Sequence, residues 1–408
     1  MRDILEELPN ALMPDLALES EAPGVIRDLV DDDLVRPAAE EDLQQDGARS
    51  KRSPLARHVD LLIDAFDPSL STTIGLRLSV EGARLRAIAV EVGYVHQGLE
   101  RRAVGLPVDS PALSTLIGIA EPTLVSQLAV ARAVERLARR STPAMTTTWR
   151  LLALDLAIVL ENARVLSDVA RSVPRLQRAL HDVVVAATAA MAGLVVGDRF
   201  GCPFRLRTAI PAEEHQTLAR RLTDLDSAAR DIDEDRFSRL TARLDGAGIL
   251  DLEQARRFGV DGPVLRAAGG VDEFPADLGD LGPGADVGRA TSGCTGGRIR
   301  VRVADLRSAV RRARARLATL DLVGVVDDAA VAVDTRGLAG TADAIIRGPN
   351  GSTSCVLHVR AGLVKRLRLR PTDLPLLTAL PRAMRGVLLD DVSEVIASFG
   401  LRATAIDR

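Results

Sequence analysis

The chain has 408 residues, 47% of them hydrophobic and 27% charged, which is enough apolar material for two or three domains with their own cores. Its formal net charge of −3 excludes a general nucleic-acid binder, which needs a basic face to displace counterions, and 2% aromatic residues leave few platforms for stacking bases or sugars. Cys202, Cys294 and Cys355 lie far apart with no C-x-x-C, which excludes a sequence-local zinc or iron–sulfur site and a disulfide framework, and fits a reducing cytoplasm.

In chain order, Met1-Arg2-Asp3-Ile4 opens without a signal-peptide core, and residues 1–57 are acidic and irregular. Asp31-Asp32-Asp33 and Glu40-Glu41-Asp42 stand there ahead of the basic Arg49-Ser50-Lys51-Arg52. This composition predicts a largely disordered extension, with a docking arm as the sharper reading. From Thr72 to Val92 apolar residues alternate (Ile74, Leu76, Leu78, Val80, then Leu85, Ala87, Ala89) around Glu81-Gly82-Ala83. That period of two predicts a β-hairpin with one buried face, in an N-terminal part covering 58–100.

Residues 101–250 read as a helical bundle. Leu124–Arg139 has helical spacing, Thr146-Thr147-Thr148 are placed to cap a helix from Trp149 towards Val173, and Pro174 opens the next. The longest apolar run, Val183–Val196, falls short of the roughly 20 residues a membrane span needs and is expected to lie buried among other helices. Glu213–Leu222 and Glu234–Leu244 continue the helical pattern.

Residues 251–408 read as α+β. Gly282–Gly297 is glycine-rich but lacks the spacing and lysine of a phosphate loop. Asp305–Leu320 predicts a basic helix carrying Arg307, Arg311, Arg312, Arg314 and Arg316, either a solvated face or a docking surface for an acidic partner. Ala344–Ile346 and Cys355–Val359 flank Pro349-Asn350-Gly351, a good turn signal and so a second hairpin. His58, His96, His181, His215 and His358 show no metal-binding spacing.

Several stretches resemble one family. Gly93-Tyr94-Val95-His96-Gln97-Gly98-Leu99-Glu100 resembles a G-Y-L-H-R-G-x-E motif, and Phe258 to Gly269 resembles Y-G-V-T-G-P-x-L-R-A-S-G. Leu128–Glu135 is similar to an L-A-V-E-K-L helix, and Ile396–Arg408 to an I-G-S-L-D-x-V-F-G-E-V-D-R terminus. These motifs belong to the D-type subunit of NADH–quinone oxidoreductase, respiratory complex I, which is related to the large subunit of nickel–iron hydrogenases. The resemblance runs colinearly from about residue 62 to the end.

It implies a multidomain α+β fold, mainly helical and hydrogenase-large-subunit-like, with a central helical bundle and small β parts near both ends. It implies a peripheral-arm subunit on the cytoplasmic side of the inner membrane, with no transmembrane helix, touching the membrane through its complex. Its partners would be a small iron–sulfur subunit and other complex-I-like subunits. The chain itself would bind no redox cofactor. The iron–sulfur cluster would sit in the partner subunit, a quinone would be held between the two, and NAD binding would belong to the complex.

The polar groups of the family's pocket are altered. Its H-P-x-x-H loop reads Asp67-Pro68-Ser69-Leu70-Ser71, so Asp67 and Ser71 take the two His positions. Its Tyr falls near Leu116, which cannot donate a proton, and the Arg of H-R-G is the neutral Gln97. The family's G-D-x-Y-D-R reads Gly293-Cys294-Thr295-Gly296-Gly297-Arg298, keeping the Gly and the Arg. The four hydrogenase cysteines have no counterparts. Asp67, Ser71, Leu116 and His96 are therefore the quinone-site candidates by position. Gly93, Tyr94, Gln97, Gly98, Glu100, Arg266 and Arg298 are fold markers or relay groups. His96 is expected to be partly buried, orienting the turn, with Glu100 one turn later as its partner or a local cap. Two readings remain: a subunit lining a modified quinone site, and a non-catalytic paralogue occupying the same position in a related membrane-bound redox complex.

Overall fold

The computed structural model describes residues 58–63, 72–119, 123–139, 142, 144–194, 212–232, 234–272, 287–320 and 335–406. The acidic stretch 1–57, residues 64–71 with Asp67 and Ser71, part of the glycine-rich stretch and Asp407-Arg408 lie outside the described residues.

Strands β1 (His58–Ile63), β2 (Gly75–Glu81) and β3 (Arg84–Glu91) form an antiparallel sheet in that order. The expected hairpin is β2–β3, turning at Gly82, whose φ of 63° suits a residue without Cβ. β1 adds a strand beyond it. The second sheet, β4 (Gly340–Arg347), β5 (Ser352–Arg360) and β6 (Leu363–Arg370), likewise contains the expected hairpin around Asn350-Gly351 plus one further strand.

Between the sheets lie the helices. α1 (Leu99–Arg102) and α2 (Pro111–Ile119) lead into α3 (Thr123–Leu137), which packs on β4 and β5. α4 (Ala144–Val169), α5 (Pro174–Leu194) and α6 (Ala212–Arg230) follow, with α7 (Glu234–Arg243), α8 (Leu252–Arg257) and α9 (Gly262–Ala267) after them. The long α10 (Thr295–Leu320) lies along α4, and α11 (Asp373–Met384), α12 (Val392–Phe399) and α13 (Ala403–Ile406) close the chain.

Two apolar cores result. One joins α2–α7 and α10 to the buried face of the second sheet. The other joins the first sheet to α8, α9, α11 and α12.

Four local expectations are corrected. Thr146–Thr148 lie inside α4, which begins at Ala144, rather than capping it. α5 is not buried all round: Val183, Ala187 and Ala190 face the core while Val185 is 54% exposed, so the run is one apolar stripe plus small residues. The basic helix starts ten residues earlier than Asp305, so Gly296 and Gly297 are helical. Their lack of Cβ serves close packing, since a Cβ on Gly296 would meet the Thr241 carbonyl at 2.6 Å. Finally, the arginines of α10 are used within the chain. Arg312 and Arg316 share Asp155 at 2.8 and 2.7 Å, Arg314 pairs with Asp226 and Arg307 with Glu234.

Candidate functional site

The first sheet fixes where the two candidate stretches begin. Ile63, the last residue of β1, pairs with Leu76, and Gly75, the first of β2, pairs with Glu91, the last of β3. The chain therefore leaves for 64–71 and for 92–98 from the same end of one sheet. The loop 92–98 is anchored at both ends. At its start Glu91 accepts from Arg77 at 3.0 Å and from the Tyr94 hydroxyl at 3.1 Å. Gly75 makes room for that hydroxyl, which would stand 2.9 Å from a Cβ there. Gly93 (φ 110°) and Gly98 (φ 59°) supply backbone angles that side-chain-bearing residues rarely adopt.

At the far end Leu99 is buried, and Glu100 accepts from the Leu369 amide and from Arg368, both at 2.9 Å. Glu100 thus ties α1 to β6 and does not partner His96. His96 itself is exposed, as is Gln97, between the two anchored ends of this stretch. The expectation of a partly buried His96 is corrected accordingly. Leu116 is buried in α2, within the helical core beside Leu113 and Ile117.

A second polar centre, only partly foreseen, lies deep in the molecule. Arg298, Arg302 and Asp305 recur at helical spacing on α10 and are all buried. Arg298 donates to the Ser398 hydroxyl, the Gly248 and Gly293 carbonyls and the Thr295 hydroxyl, at 2.8–2.9 Å, and lies 4.4 Å from the centre of the Phe399 ring. No carboxylate is among these contacts. Burial pushes its pKa down to about 9, which leaves it charged at neutral pH.

One turn on, Arg302 donates to Asn162 and Asn350 at 2.9 and 3.0 Å and to the Phe399 carbonyl at 3.0 Å. Asn350 in turn donates to Glu161 at 3.0 Å and to the Gly400 carbonyl at 2.9 Å. Glu161 also receives Arg402 through both oxygens, at 3.1 and 2.9 Å. Burial alone would raise the Glu161 pKa, but Arg402, Asn350 and Arg302 together hold it below the usual carboxylate value.

Arg266 of α9 completes the centre. It grips Asp305 through two bonds of 2.8 and 2.7 Å, and also reaches Asp272 at 3.1 Å and the Gly288 carbonyl at 2.7 Å. Burial alone would lower its pKa, yet Asp305 and Asp272 hold it above the ordinary arginine value. This arrangement clamps α4, α9, α10, the β4–β5 turn and α12 together. Arg266 and Arg298 were legible as motif members, whereas Glu161, Asn350, Arg302 and Arg402 were not. Only the spacing of Arg298, Arg302 and Asp305 on one helix face could have signalled the centre.

A nickel–iron centre does not fit this chain. Cys294 and Cys355 are buried on separate elements, and among the described residues no three His, Cys, Asp or Glu side chains are grouped to hold a metal.

No family model matches the chain. It is 23% identical to the D-type NADH-quinone oxidoreductase subunit of Akkermansia muciniphila over 403 residues, covering 87% of this chain and 94% of that protein. The second D-type subunits of Salinispora arenicola and Solibacter usitatus are 30% and 28% identical over 227 and 185 residues. Those two matches span about half the length of each relative, 54% and 45%. The chain is thus similar to D-type subunits of NADH-quinone oxidoreductase. Its fold agrees. A chain in the structure of the membrane-bound sulfane sulfur reductase, an archaeal respiratory membrane complex, superposes with a TM-score of 0.71 at 20% identity, covering 86% of this chain and 98% of that one. The described residues are thus mainly helical with two small antiparallel sheets, in a fold shared with that chain. Among the described residues no helix is long and apolar enough to cross a membrane.

Proposed function

We propose that this chain is the D-type component of a complex-I-like NADH–quinone oxidoreductase, and that it lines a quinone site whose proton donors have been replaced. The observation that carries the reading is the near full-length similarity to a relative of that type, 94% of the Akkermansia muciniphila protein, together with the shared fold. In this reading it packs on a small iron–sulfur subunit at the cytoplasmic side of the inner membrane. The cluster belongs to that partner, and the chain binds no redox cofactor itself. The division into an extension (1–57), a β part (58–100), a helical bundle (101–250) and an α+β part (251–408) belongs to the same proposal.

Reducing a quinone takes two electrons and two protons, so each headgroup carbonyl needs a hydrogen-bond donor or a water held by one. The shared sheet end at which 64–71 begins and the loop 92–98 departs supports a site near that end. Asp67, when protonated, donates to one carbonyl. Ser71 and the exposed His96 position a water or donate at the other. Leu116, buried in the helical core, contributes shape rather than a proton. Arg266, Arg298 and Glu100 act as scaffold, through the contacts above. The reading of a purely structural paralogue is not favoured, because the relatives compared are all oxidoreductase subunits by name.

The test is Asp67→Ala in the native complex. Quinone turnover is expected to fall by about a hundredfold or more, the usual range for a lost general acid, while assembly stays intact. Unchanged turnover in an intact complex would remove Asp67 from the mechanism.

A further inference from the structure

The solvent face of the second sheet carries a column of cations. On β6, Arg366, Arg368 and Arg370 alternate outward with the buried Leu367 and Leu369. Across β5 their partners are His358, Val356 and Ser354, with Val356 43% exposed at the centre of the face. The bulge between His358 and Val359 also turns out Lys365, and Arg360 lies exposed beside it. The edge of β6 is already occupied. Gly105 and Leu106 bond to Val364, and Glu100 takes the Leu369 amide, so the open surface is the face and not the strand edge.

These cations differ from those of α10. Arg307, Arg312, Arg314 and Arg316 of α10 have carboxylate partners, whereas Arg360, Lys365, Arg366 and Arg370 make no side-chain hydrogen bond or ion pair among the described residues. Arg368 alone is paired, with Glu100, and its side chain is still 57% exposed. Asp343 of β4, across from Val356, is the carboxylate on this face and is paired with Arg136, so the β5–β6 side remains cationic and favours an acidic segment.

We propose that this face is the docking site of the chain's own acidic segment, residues 28–46. That segment holds eight carboxylates against one arginine, clustered at Asp31-Asp32-Asp33 and Glu40-Glu41-Asp42. In an extended run, residues 31 and 33 project on one side about 7 Å apart, the spacing of successive outward arginines on β6. Residues 47–57 link the segment to His58 with a reach of about 40 Å. A fold of this size has a radius of gyration of about 20 Å, so a reach of about 40 Å spans most of its breadth. The segment thereby shields the cations and competes with any other acidic ligand.

The experiment places a photo-crosslinking residue at Val356 in the full chain and identifies its adducts by mass spectrometry, both in the isolated protein and in its native complex. Adducts with peptides from 28–46 are expected. They should fall at least fivefold with Arg366→Glu/Arg370→Glu, and equally with Asp31→Asn/Asp32→Asn/Asp33→Asn, a variant outside the core that keeps the proposal testable if the first fails to fold. Adducts that persist through both variants, that form only with another protein of the complex or a lipid, or that do not form at all overturn the proposal.

Discussion

Replacing Asp305 by Ala tests the buried centre most severely. The carboxylate accepts from both terminal nitrogens of Arg266 at 2.8 and 2.7 Å and from the Gly288 amide at 2.8 Å, with each side chain of the pair only 5% exposed. Removing it strands a desolvated guanidinium, and breaking one side of a buried pair costs about 3–5 kcal/mol. Arg266 keeps Asp272 and the Gly288 carbonyl, which favours the lower half of that range. Chemical denaturation of the purified protein measures the loss. The double variant Arg266→Met/Asp305→Leu removes both charges and should recover at least about 1 kcal/mol relative to Asp305→Ala. An Asp305→Ala variant within about 0.5 kcal/mol of the parent, or single costs that simply add in the double, would refute the clamp.

Gly296→Ala should destabilise by about 1–3 kcal/mol through overpacking against Thr241, although alanine favours an α-helix by about 1 kcal/mol; a raised melting temperature would contradict the close approach. The pKa values of Glu135 and Glu161 are both depressed, Glu135 by Arg150, Thr142 and Arg132 against the opposing effect of burial. A depressed carboxylate contributes stability that is present above its unfolded value of 4.5 and is lost as pH falls through the folded value. Melting temperature should therefore drop below about pH 4.5, and Glu161→Gln should flatten the drop; an equally steep drop in that variant would exclude Glu161 as a source.

The legible parts of the fold were those with local signals. The alternation from Ile74 to Ala89, the proline at 174 and the Asn350-Gly351 turn each act within a few residues, and each element formed where its signal stood. β6 escaped because Lys365-Arg366 interrupts its alternation, and the structure explains the interruption as a bulge. The buried centre escaped for a different reason. Glu161, Asn350, Arg302 and Arg402 come from four distant segments, and their joining depends on how α4, α10, the β4–β5 turn and α12 pack. Asn350 plays two parts, a turn residue by sequence and a hydrogen-bond bridge by structure. The stretch 92–98 joins hairpin to helix as read from the sequence, but the pairing of Glu100 with β6 needed the second sheet to be seen.

Affinity purification of the tagged chain from gently solubilised native membranes, with mass spectrometry of the bound proteins, tests the assignment most directly. A small iron–sulfur subunit and antiporter-like membrane subunits should co-purify in comparable amounts. Recovery of the chain alone, or only with unrelated soluble proteins, would contradict the assignment to a complex-I-like assembly.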